Sequence, residues 1–163
     1  MTLEPLLTAP LVIQLHVLSA LPAIFIGPFA VFRAKRDLMH KVLGYTWMIT
    51  MISVAITGLL IPSEIAIIGW LGPIHLFSFF TLWGVGEGLY YIKRRQIQKH
   101  REAMQSVWFG AAGIAALFTF LPGRRVNVSL FGEPSNWGYA IIGAGLLLLF
   151  ILWRDRRKTI RMA

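Results

Sequence analysis

The chain contains no cysteine, which excludes disulfides, thiolate metal sites and cysteine nucleophiles. Acid is also scarce, with seven Asp and Glu against 16 Lys and Arg. Charged residues make up 14% of the chain, where a soluble domain carries about a quarter. No nucleophile–base pair, phosphate loop or carboxylate dyad can be assembled from what remains. A formal charge of +9 would suggest nucleic acid in a soluble protein. Here no basic stripe interleaves with exposed aromatics. The basic residues sit at the ends of apolar runs, where they anchor helices against headgroups.

What the sequence has in abundance is apolar length. Its 163 residues are 56% hydrophobic and suffice for one domain, and about 20 uncharged residues cross a bilayer. Five spanning helices are expected, at residues 9–32, 41–61, 65–92, 104–121 and 137–153. The fold class is therefore an all-α membrane protein in a single transmembrane domain. A polar outer loop covers residues 122–136, and a basic tail runs over 154–163. The first loop holds four basic residues, the third five and the tail five, so 14 of the 16 share one side. By the positive-inside rule that side is cytoplasmic and the N-terminus lies outside. Trp70, Trp137 and Trp153 fall near the proposed helix ends, as interfacial anchors do. Asn127-Val128-Ser129 matches a glycosylation sequon, a short pattern with little weight.

The spans repeat. His16 and His40 are 24 positions apart, His75 and His100 are 25. Each pair brackets a basic cluster, and the second histidine is followed by a basic residue (Lys41, Arg101) and then a tryptophan (Trp47, Trp108). Residues 9–61 and 65–121 thus read as two copies of one hairpin in the same orientation, related by an axis along the membrane normal. The fifth helix is an addition.

Ionisable residues inside a membrane are costly and usually face the bundle interior. The repeat places His16 level with His75 in the outer half and His40 level with His100 at the cytoplasmic end. Two layers of paired histidines suit two bis-histidine b-type haems, the outer better buried than the inner. Small residues beside the ligands (Ala20, Ala23, Gly27, Gly44, Gly72, Gly110, Gly113) would admit a planar macrocycle. Lys35, Lys41 and Arg101 could hold inner propionates, and Arg124 or Arg125 outer ones. Zinc or copper is the weaker fit, since two histidines are few for a closed site. The bland alternatives are interhelical hydrogen-bonding for His16 and His75, helix capping for His40 and His100, and close helix contact for the small residues. Glu87, within Gly84-Val85-Gly86-Glu87-Gly88, is a candidate proton relay or quinone contact, or pairs with a loop arginine. Pro22, Pro28 and Pro73 are expected to kink helices, and Ser19, Ser78, Thr57 and Thr119 to bond to backbone.

His40-Lys41-Val42-Leu43-Gly44-Tyr45 and His100-Arg101-Glu102-Ala103-Met104, with His16 and His75 upstream, resemble the bacterial predicted membrane proteins grouped as domain of unknown function 2306. The resemblance covers about residues 12–125 and implies a fold without a settled activity. A looser resemblance is to two-haem transmembrane cytochromes b, such as the ascorbate-dependent ferric reductases, in which ligands on alternate helices pair in two stacked sites. The expectation is a b-type cytochrome of the bacterial cytoplasmic membrane, possessing haem b, meeting a quinone or other redox partner, and acting as a membrane oxidoreductase. The competing expectation is a non-catalytic subunit or assembly factor of a larger membrane complex. A small transporter has less support, since no strongly charged centre is evident.

Overall fold

The structure, a computed structural model, describes residues 2–33, 36–132 and 135–161. Among these all regular structure is helical, apart from one isolated bridge between Ile68 and Leu71. The elements are α1 (Glu4–Leu7), α2 (Leu11–Val31), α3 (Leu38–Leu60), α4 (His75–Lys93), α5 (Ile97–Ser106), α6 (Ile114–Phe118), α7 (Arg125–Phe131) and α8 (Trp137–Arg161). A π-helical stretch, Val107–Gly113, joins α5 to α6.

Three helices are long and apolar enough to cross a membrane: α2, α3 and residues Trp137–Arg154 of α8. Their large side chains point outward. Leu18, Phe25 and Phe29 on α2 are each about two-thirds exposed, while Ala23, Gly27 and Ala30 are buried. Exposing so much apolar surface is untenable in water but natural against lipid.

The third apolar run departs from expectation. Residues 61–74 form a loop, and α4 starts only at His75. Pro62 and Pro73 bracket that loop, and a residue preceding proline is steered out of helical geometry. Gly69 adopts φ +59°, a conformation that disfavours side chains. Gly72 lies so close to the Ile65 carbonyl and to Ser63 that a Cβ could not fit. His75 is therefore the first residue of its helix, not a residue nearly three turns inside it, and Pro73 precedes the helix instead of kinking it. Pro22 and Pro28 do lie within α2.

Other boundaries also move. α3 begins at Leu38, where Asp37 caps it, and α5 begins at Ile97, so His40 and His100 both lie in first turns. The polar outer loop contains α7. The apolar fifth helix continues through the start of the basic tail.

Two compact units are present. One comprises residues 9–112. Within it α2 packs on α3, α3 on α4 and α4 on α5, and α5 reaches back to α2. Small residues permit the close approaches: Gly84 faces Val107, and Gly88 faces Met104 and His100. The two tryptophans of the repeat converge. Trp47 Nε1 donates to the Ala23 carbonyl at 2.9 Å, and both Trp47 and Trp108 lie against Gly27. Phe32 meets Trp108 and Phe109 edge-on, at 5.4 and 5.6 Å between ring centroids.

The other unit joins the chain up to Thr8 with the chain from Gly113 onward. In it α1 packs on α7 and α6 on α8. Its fastener is Asn127, which has no exposed surface. Asn127 Nδ2 donates to the Phe120 and Ser135 carbonyls, both at 2.9 Å, and Oδ1 accepts from the Ser135 N–H at 2.9 Å. This occupied, buried amide is out of reach of glycosylation in the folded protein. Asn127→Ala strands a buried amide and two carbonyls, so a loss of about 2–3 kcal/mol is expected. The thermal midpoint of the detergent-purified variant reads it.

Candidate functional site

His40 and His100 lie in the first turns of α3 and α5. His100 Nδ1–H donates to the Gly88 carbonyl at 2.8 Å, an anchor that turns Nε2 away from its own helix partner. Metal-ligating histidines are commonly fixed in this way by a carbonyl on the far ring nitrogen. His40 Nδ1 is buried without a hydrogen-bond partner.

Two more orphans sit on the helix that carries His100. Gln105 Oε1 and Trp108 Nε1 are buried and unbonded, and both residues are less than one-tenth exposed. Buried polar atoms are normally paired, so three orphans within the unit of residues 9–112 are notable. Gln105 was not singled out by sequence, although a lone amide five positions after His100 was the available signal.

The position of His40 is set by the helix start. Asp37 Oδ1 accepts from the His40 N–H at 3.0 Å, and the carboxylate also accepts from Arg33, with Nε at 3.1 Å. The Arg33 guanidinium first, and then the His40 amide, hold the Asp37 carboxyl down at about 2. A lowered carboxyl stabilises the fold above its ordinary range and loses that contribution as pH falls through the folded value. The first turn of α3 should therefore stay ordered from neutral pH down to about 4 and loosen as pH approaches about 2. Amide exchange at His40 checks this, with Asp37→Asn showing the faster exchange already at neutral pH.

His16 and His75 are placed differently. His16 Nδ1 bonds Thr57 Oγ1 at 3.0 Å, and Thr57 Oγ1 donates to the Ser53 carbonyl at 2.6 Å. Ser19 and Ser53 share a hydroxyl bond at 2.8 Å. His75 has both ring nitrogens engaged: Nδ1 accepts from the Gly72 N–H at 3.0 Å, and Nε2 lies 3.1 Å from the Ile61 carbonyl. His16 and His75 thus reach α3 and the residue after it one turn apart, and no bond joins their rings.

Lys41 is exposed and Arg101 half-buried beside the histidine pair in sequence. Lys35 lies outside the described residues. Arg124 precedes α7 in the other unit, where Arg125 Nη1 donates to the Pro5 carbonyl at 2.8 Å. Among the described residues no three His, Asp or Glu side chains converge as a metal-ligand set.

No curated protein and no solved structure matches the chain. A family model does, over residues 13–152, and on that match the chain belongs to the predicted membrane proteins of family DUF2306.

Proposed function

We propose that this protein is a multi-pass b-type cytochrome of the bacterial cytoplasmic membrane, with its leading cofactor site at His40 and His100. Besides the three long apolar helices, α4 and the α5–α6 run cross the bilayer, giving five spans. The N-terminus lies outside, because 14 of the 16 basic residues then face the cytoplasm. The single observation that carries the cofactor reading is the setting of two imidazoles: His100 has its Nδ1–H anchored on the Gly88 carbonyl, and His40 keeps a buried orphan nitrogen.

His40 and His100 would supply the axial nitrogens, and Lys41 and Arg101 the charges for propionates. Bound haem iron supplies reversible one-electron transfer. The chain's own part is to orient the His100 imidazole through the Gly88 carbonyl and to fix the His40 backbone through Asp37. His16 and His75 remain candidates for an outer haem. Iron at His75 Nε2 would replace its bond to Ile61, so the support falls on the inner pair.

A visible spectrum of detergent-purified protein from haem-replete cells tests this. A Soret band that shifts on reduction is expected, and colourless protein overturns it. The second reading, a non-catalytic subunit of a larger complex, is favoured at the outer pair by the fully satisfied His75 ring.

A further inference from the structure

A groove of about 390 Å³ lies between α4 and α5, away from the histidine rings. One end is aromatic, lined by Phe80 and Trp83. The other end is charged, lined by Glu87, Tyr91, Lys99 and Glu102. Phe80 and Tyr91 are 11 positions apart on one helix, so the groove runs about 16 Å along its axis.

Its polar groups are only partly used. Tyr91 Oη–H donates to one Glu87 oxygen at 2.9 Å, and Gln98 Nε2 donates to one Glu102 oxygen at 3.0 Å. Each carboxylate keeps an acceptor oxygen for a ligand. Lys99 Nζ stands 5.5 Å from the Tyr91 ring centre and is not ion-paired to either glutamate. Two carboxylates and one ammonium call for a ligand with a strong N–H donor and one negative group. The aromatic end calls for an apolar chain.

We propose that this groove holds a phospholipid with an ethanolamine headgroup. The primary ammonium donates to Glu87 and Glu102 as charge-assisted bonds. The phosphodiester meets Lys99, with the Ser106 hydroxyl on the same lining. The first part of an acyl chain lies along Trp83 and Phe80 over the small floor of Gly84. The groove stands at the right depth, since Lys93-Arg94-Arg95 follows its charged end and marks the headgroup level. The two carboxylates disfavour an anionic headgroup. A choline headgroup carries no N–H for them to accept. The inference rests on α4 crossing the bilayer and is independent of haem.

The test is native mass spectrometry of the full chain, released from vesicles of equal ethanolamine-, choline- and glycerol-headed phospholipid with identical chains. Retention of the ethanolamine lipid about tenfold over the others is expected, falling to parity in Glu87→Gln/Glu102→Gln. Glutamine keeps the volume and can still accept from Tyr91 and Gln98, and the thermal midpoint of the variant reports whether it folds. Equal retention of all three lipids, retention of none, or a folded double variant with unchanged preference overturns the proposal. Haem-free protein with the preference would sink the cytochrome reading alone, and haem-loaded protein without it would sink the lipid site alone.

Discussion

Gly27→Val is expected to lower stability by about 3 kcal/mol, equivalent to about 6–12 °C in thermal midpoint for a chain of this size. The reason is contact with two indole rings at once. A Cβ built at Gly27 would stand 2.8 Å from Trp47 Nε1 and closer still to the Trp108 ring edge. Neither ring can retreat easily. Trp47 is 1% exposed and tied to the Ala23 carbonyl, while Trp108 is held by Phe32 and Phe109. Overpacking a filled core displaces backbone or forces poor rotamers. Alanine at Gly27 should cost less than valine, because it adds one carbon and raises helix propensity. Gly27→Ala combined with Trp108→Phe should recover part of the loss, since phenylalanine lacks the indole edge that makes the closest contacts. That recovery is a coupling between touching residues. It is read by melting the four proteins of the cycle side by side in one detergent. A Gly27→Val protein as stable as the parent would show that the tryptophans do not meet there.

Loss of the inner pair should have the largest effect on function. If haem binds between His40 and His100, either alanine variant removes an axial ligand, and haem content should fall by about tenfold or more. The Soret absorbance per mole of purified protein measures it. His75→Ala makes the opposite prediction. Its ring ties the Ile61 carbonyl to the Gly72 amide, so its loss frees the 61–74 loop and lowers stability while leaving the inner chromophore in place. Retention of full absorbance in both inner variants would remove the inner site. Loss of absorbance in His75→Ala, with the fold intact, would move the cofactor outward.

The sequence made part of this visible. Apolar runs bounded by Lys and Arg located α2, α3 and the apolar part of α8 to within a few residues, because a spanning helix is dictated by length and charge alone. The residues 65–74 were misread as helix because they are as apolar as the helix that follows. Hydropathy cannot see that Gly72 is wedged against Ile65 or that Gly69 takes a positive φ. His40 and His100 are singled out by their spacing, while the Gly88 carbonyl that anchors His100 is a backbone group no sequence pattern announces. The bonds of His75 are equally hidden, since its partners are backbone groups and any residue type could have supplied them. Asn127 was noticed as a sequon, but its role as a fastener depends on the carbonyls of Phe120 and Ser135, which no pattern of side chains announces.

The π-helical stretch begins beside Trp108. Trp47 follows His40 by seven positions, whereas Trp108 follows His100 by eight, yet both indoles arrive at the same glycine. A π turn closes its hydrogen bonds across five residues instead of four and so absorbs one extra residue without breaking the helix. Val107–Gly113 holds such a residue, with Trp108 near its start and five of its residues beyond Trp108. Deleting one residue from Val107–Gly113 would let an ordinary α-helix form there while the helical turns on either side keep their phase.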